Sequence, residues 1–278
     1  MNSPPVPDSA GRPQLGVIIR FKNSAATLPG VLAALRSQTR PPDFILGVDS
    51  GSQDDSPGLL QAAGARLVSW SAPYNHPRVL NFALQHCPAE FVLVLSSHTV
   101  LQSPQALAEL CSALADPRVA CASCQWDDDP FYSPAVTWAE VRAKGLKFGS
   151  LYSNSMGLLR RSCWEAHPFD ESLAGMEDGA WALEQLKLGY VCRRLPIPFS
   201  YQRSGSTRDY FFAVLTFQMA ARHGLRVAWL GVNGSVRDWL RTLARRLVGR
   251  PVDLAAAKAR RERLRAWLTW RFVRLDKE

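Results

Sequence analysis

Four polar clusters in this 278-residue chain have the makings of chemistry. Glu177 and Asp178 are adjacent carboxylates in GMEDGAWALEQL, at the start of a helical run and just after the flexible Gly175. Ser96, Ser97 and His98 close the apolar run Phe91 to Leu95 in EFVLVLSSHTV. Asp49 and Ser50 close a second apolar run in DFILGVDSGSQDDS, with Asp54 and Asp55 following, and Arg20, Lys22 and Asn23 close a third in LGVIIRFKN. A carboxylate at a helix start reads in two ways: as an N-cap, or as a proton acceptor that the helix dipole keeps ionised. Asp49 is an Asx turn at a strand end or a ligand contact. His98 is a packed imidazole or a group that holds something.

The elements around these clusters decide whether they meet. Leu15 to Phe21, the segment ending at Asp49, ARLVSW, the segment ending at Ser96, and RVACASCQW read as buried strands. Between them lie helices. SAATLPGVLAALRSQ carries Leu28, Val31, Leu32 and Leu35 at helical spacing, Leu59 to Ala63 make a short helix, and HPRVLNFALQHC has Pro77 in its first turn. SPQALAELCSALAD places Ser103 at an N-cap and Pro104 at the first helical position. Strands alternating with helices predict an α/β fold with a parallel sheet covered on both faces. In such sheets ligands bind beyond the carboxyl ends of the strands, which is where all three strand-end clusters fall. A further helix spans Glu177 to about Leu188, stopped by Gly189.

Composition narrows the class. No apolar run approaches the roughly 18–20 residues of a membrane helix. The first residues, MNSPPVPDSAGRP, lack the apolar core of a secretory signal and read as a disordered tail over 1–13. Six cysteines without a framework pattern point to a reducing, cytoplasmic setting. The lone CxxC of Cys121 and Cys124 lies in a strand and reads as buried thiols. From Tyr201 onward there are 17 Lys/Arg against 6 Asp/Glu, while the first 200 residues carry a net −2. The basic charge therefore belongs to the tail, and the near-neutral body argues against a nucleic-acid binder.

Taken in order, three segments resemble family 2 glycosyltransferases of the GT-A fold. VIIRFKNSAATLPGVLAALRSQTRPPDFILGVDSGSQDDS is similar to the family's opening nucleotide-binding unit. LNFALQHCPAEFVLVLSSHT is similar to the segment leading to its metal-binding Asp-x-Asp, and SNSMGLLRRSCWEAHPFDESLAGMEDGAWALEQLKLGY to its acceptor segment with Glu-Asp. The resemblance implies a GT-A domain over 14–200, with a nucleotide-binding part at about 14–100 and an acceptor part at about 101–200. A basic helical extension follows over 201–278.

The resemblance also implies roles. A nucleotide-sugar donor of UDP or dTDP type leaves a diphosphate, whose charge a divalent cation, Mn2+ or Mg2+, can neutralise. Asp178, with Glu177 beside it, is the expected base for inversion. Asp49 meets the nucleoside, with Ser50 standing where the family has a second aspartate. Arg20, Lys22, Arg78 and Asn81 are donor-contact candidates. Ser96 and His98 replace both aspartates of Asp-x-Asp; His98 is then a metal ligand or a direct diphosphate contact. Arg203 follows the last core strand, where relatives often place a histidine, and its charge would partly substitute for metal. Trp181 either stacks on a sugar or fills the core. The acceptor is a glycan, polysaccharide or lipid-linked precursor. Residues 255–275 place Leu264, Trp267, Leu268, Trp270 and Phe272 near one side of a helix flanked by arginines, for an anionic membrane surface on the inner face of the plasma membrane or for the protein's own core.

Overall fold

The structure, a computed structural model, describes residues 12–125, 131–147, 151–201 and 209–228, with 240, 244, 262 and 265–270. In chain order it runs β1 (Leu15–Phe21), α1 (Leu28–Arg36), β2 (Phe44–Asp49), α2 (Ser56–Ala62), β3 (Arg66–Ser69), α3 (His76–Gln85), β4 (Phe91–Ser96) and β5 (Thr99–Leu101). Then come α4 (Ala106–Ala113), β6 (Val119–Cys124), β7 (Ala135–Val136), α5 (Trp138–Lys144), β8 (Met156–Arg160), α6 (Arg161–Ala166), α7 (Glu177–Lys187), β9 (Val191–Leu195), β10 (Phe199–Tyr201) and α8 (Asp209–Arg222).

Eight strands form one sheet in the order β3-β2-β1-β4-β8-β6-β9-β7. The β1–β2, β1–β4, β2–β3 and β6–β9 pairs are parallel. The sheet is mostly parallel, as the GT-A resemblance implies; the exceptions are β8, which runs antiparallel between β4 and β6, and β7, antiparallel to β9. Inserted between β4 and β6, β8 joins the expected 14–100 and 101–200 parts into one continuous sheet.

The central strands β1, β4, β6 and β8 are mostly apolar because both faces are covered. Ile18, Val92 and Val94 face one core with α3, α5, α6, α7 and α8. Val17, Ile19, Leu93 and Leu95 face the other, with α1, α2 and α4. The helical stripe Leu28, Val31, Leu32 and Leu35 is buried as its spacing requires. Cys121 and Cys124 are buried free thiols; burial pushes Cys124 up to about 12, which leaves it inert.

Helix α4 starts at Ala106, later than its Ser-Pro signal predicts. The carbonyls of Ser103 and Pro104 accept from Gln38 Nε2 and from the Thr39 N–H and hydroxyl, so they tie α4 to the end of α1. Ser103 Oγ instead accepts the Gln105 N–H at 3.2 Å, closing a turn. Gly189, at φ 91, ends α7 as expected. No helix among the described residues is long and apolar enough to cross a membrane. The expectation for the tail 1–13 falls outside the described residues except at its last two, where Arg12 pairs with Asp43 at 2.9 Å.

Candidate active site

The parallel register brings Phe21 beside Asp49 and Arg20 beside Ser96, so the carboxyl ends of β1, β2 and β4 share one edge. The loops leaving these strands are stitched together. Asp49 Oδ1 accepts the Ser52 N–H at 2.9 Å and its hydroxyl at 2.7 Å, a local Asx turn. Asn23, left-handed at φ 49, accepts the Gln53 N–H and donates its own N–H to Ser52. Asp54 accepts the Ala25 N–H and the Ser56 hydroxyl, and the Ser56 contact above all holds its carboxyl below the usual range. Ser50 donates its N–H to Phe21, while its hydroxyl is buried with no hydrogen-bond partner. Lys22 is exposed on the rim.

Ser97 and His98 form the turn between β4 and β5. Ser97 Oγ lies 2.9 Å from Ser24 Oγ, and its carbonyl accepts the Thr27 hydroxyl at 2.7 Å. The His98 ring meets Tyr201 edge to face, with centroids 4.7 Å apart, because β10 pairs antiparallel with β5. Sequence spacing gave no sign of that partner a hundred residues away.

Glu177 and Asp178 open α7 behind a kink. The kink is at Met176, φ 59, and not at Gly175. A left-handed non-glycine residue costs roughly 1–2 kcal/mol. Met176 is held there by burial and by the Thr216 hydroxyl of α8, 3.6 Å from its sulfur. Gly175 serves close approach instead: a β-carbon there would stand 3.3 Å from the Phe211 ring of α8.

Asn154 ties this pair to the strand ends. Its side-chain amide donates to Glu177 Oε1 at 3.1 Å, and its backbone N–H donates to Asp178 Oδ2 at 3.2 Å. Its carbonyl accepts from Arg20 Nη2 at 3.5 Å, and the next carbonyl, of Ser155, accepts the Ser96 N–H at 3.0 Å. Asp178 Oδ1 also accepts the Gly179 N–H at 2.7 Å. Desolvation first, then the Glu177 charge, pushes the Asp178 carboxyl up to about 7, against those two N–H bonds and the more distant Arg20 charge. Desolvation and the like charge of Glu177 thus oppose the ionised form of Asp178 that the helix start favours.

Arg20 Nη1 donates to His76 Nδ1 at 2.8 Å and, more loosely, to Tyr74 Oη at 3.4 Å. His76, Tyr74 and Asn154 were not singled out from sequence. The signals present were YNHP at the start of α3 and the polar triplet Ser153-Asn154-Ser155 before the apolar β8.

The other candidates lie elsewhere. Asn81 does not reach the strand ends: its amide donates to the Phe169 carbonyl and Glu171, and its oxygen accepts from Trp164 and Phe169. Arg78, half-exposed, pairs with Glu171 at 3.6 Å. Trp181 fills the core against Tyr152 and Phe169 and donates to the His167 carbonyl. Arg203 lies outside the described residues.

The fold is that of a sugar-transferring class of enzyme. The profile described as glycosyl transferase family 2 matches residues 16–162, just over half of the chain, and the chain belongs to that family. It is 27% identical over 199 residues to the O-antigen chain rhamnosyltransferase RfbN of Salmonella typhimurium, covering 64% of this chain and 62% of the relative. It is 30% identical over 120 residues to the O-antigen biosynthesis protein RfbC of Myxococcus xanthus, covering 41% of this chain and 9% of the relative. Both matches thus span less than two thirds of the relative's own length. Among solved structures, the Pyrobaculum calidifontis mannosyltransferase PcManGT, in complex with GDP-Man and Mn2+, superposes with a TM-score of 0.66 at 18% identity, over 95% of this chain and 88% of that one. At that identity the likeness is one of fold.

A divalent cation in this family's fold calls for a ligand set, and the residues at the β4 turn do not fit one. Ser96, Ser97 and His98 offer no carboxylate, and Ser97 already bonds Ser24. Among the described residues no group of three or more His, Cys, Asp or Glu side chains converges. Hard cations prefer charged oxygen ligands.

Proposed function

We propose that this glycosyltransferase moves a hexosyl or deoxyhexosyl unit from a nucleoside-diphosphate donor to a hydroxyl of a glycan, polysaccharide or lipid-linked acceptor, with inversion. The observation that carries this reading is Asp178: a carboxyl group at the strand-end crevice, raised to about 7, where a base accepts a proton efficiently near neutral pH. Asp178 takes the acceptor hydroxyl proton. The acceptor oxygen bonds to the anomeric carbon, the bond to the leaving phosphate oxygen breaks, and its electron pair goes to the diphosphate. A single displacement inverts the anomeric centre. Glu177 is occupied by the Asn154 amide and acts through its charge on Asp178.

In this reading Asp49, Ser50 and Lys22 line the nucleoside side, and Arg20, Ser96 and His98 the diphosphate side. Arg78 and Arg203 stay peripheral candidates. The nucleotide part is about 14–100 and the acceptor part about 101–200. The RfbN relative, a rhamnosyltransferase of the O-antigen chain, favours a deoxyhexosyl unit and a polysaccharide acceptor, and the donor nucleotide of this reading is UDP or dTDP. The basic extension supports docking on an anionic membrane: Trp267 and Leu268 are exposed beside exposed Arg265, while Ala266 is buried. Trp270 stacks on Phe217 of α8, with centroids 6.1 Å apart.

A thermal-shift screen of UDP-, dTDP- and GDP-sugars, followed by mass spectrometry of products with polysaccharide precursors, tests this reading. The carboxylate-free β4 turn favours a second reading, an idle GT-A domain that binds a sugar nucleotide. Donor binding without transfer or hydrolysis would select it.

A further inference from the structure

Arg20 is a half-buried cation with no direct ion-pair partner among the described residues; the Asp178 carboxyl feels its charge from farther off. None of its partners, His76 Nδ1, Tyr74 Oη and the Asn154 carbonyl, is a carboxylate. Its Nε is buried with no hydrogen-bond partner. No carboxylate of the described residues lies within ion-pair distance of it. The guanidinium can only donate, so this contact uses the Nδ1 lone pair of His76. Removing a guanidinium from water without a paired anion is costly, and such a charge at a ligand-binding edge marks an anion site. Arg20 stands in register with Ser96, at the turn where carboxylates would be needed to hold a cation. Helix α3 begins at His76 and adds the positive end of a ten-residue helix.

We propose that Arg20, held by His76, Tyr74 and Asn154, binds the donor diphosphate directly, and that this chain binds its nucleoside diphosphate without a divalent cation. The inference rests on the glycosyltransferase reading above and assigns Arg20 the charge that a metal supplies elsewhere. The planar guanidinium matches two phosphate oxygens at once. Its existing partners are weak enough to be exchanged: the Asn154 contact is 3.5 Å and the Tyr74 contact 3.4 Å.

Calorimetry on the full chain tests this with UDP, dTDP and GDP, each in excess EDTA and again in Mn2+. One nucleotide is expected to bind with the same Kd, within about twofold, in both buffers. Arg20→Gln is expected to weaken that binding about 10- to 100-fold in EDTA, the worth of a charge-assisted pair. Arg20→Lys, which keeps charge but not the fork, should fall between the two. Binding seen only with Mn2+ overturns the proposal and leaves the transferase reading standing. Unchanged affinity of Arg20→Gln in EDTA does the same. The comparison of buffers needs no variant, so a misfolded Arg20→Gln does not rescue the idea. If no nucleotide binds in either buffer, the transferase reading fails, and the proposal with it.

Discussion

Asp178→Asn is expected to abolish transfer and to stabilise the protein at alkaline pH. The carboxyl is raised from 3.8 to about 7 in the fold. A group raised on folding binds its proton more tightly in the native state, so stability falls as pH rises from about 4 to 7, and the full penalty applies above that. At about 1.4 kcal/mol per pH unit, the penalty at pH 8 is at most about 4 kcal/mol. At pH 5 it is about 1.5 kcal/mol, because only the unfolded state is ionised. Asparagine removes the penalty but keeps one acceptor oxygen for two N–H donors, Asn154 and Gly179. Stranding one of them costs about 1–3 kcal/mol at either pH. The net effect is a gain of about 1–3 kcal/mol at pH 8 and little or a loss at pH 5. Melting temperatures of the two proteins at both pH values measure it. With about 2–4 °C per kcal/mol for a domain of this size, the difference between them should change by about 5–10 °C from pH 5 to pH 8. A pH-independent difference would refute the raised carboxyl. Transfer at near-parental rate would refute Asp178 as base, whose loss should cost ~10²–10⁴ in rate.

Transfer by the parent should fall about tenfold per pH unit below an apparent value near 7, and this acid limb should move to higher pH in Arg20→Gln, because Arg20 pulls Asp178 down; stopped pH–rate profiles check both. Asn154→Ala should lower kcat while leaving nucleotide affinity within a few fold, since it frees Glu177 beside the base; an equal loss in both would make Asn154 merely structural. Asn81→Ala should melt early, by about 2–4 kcal/mol for several stranded buried groups, yet bind donor normally when kept below its melting point. Truncation near Gly249 should both remove vesicle flotation and lower the melting temperature, because Trp270 packs on α8; equal flotation of full-length and truncated protein would refute membrane docking by the tail.

The sequence by itself determined β1 to β4 and β6, the helices between them and α7, and that three polar clusters fall at the carboxyl ends of strands. Each of these follows from local periodicity: Leu28, Val31, Leu32 and Leu35 state a helix face, and Phe91 to Leu95 a strand buried on both sides. It also determined that β4 ends without carboxylates, since residue identity alone fixes that. It could not place the antiparallel β8, because strand direction depends on pairing across the sheet. Tertiary structure alone decided which polar groups meet. Asn154 joins Arg20 to Glu177 and Asp178 only because β8 runs back beside β4. Asn81 was drawn into the packing of 164–171 by partners more than eighty residues away. The pull on Asp178 was decided in the same way: its helix-start position favours the charged form, and the desolvation and like charge that oppose it exist only once the chain is folded.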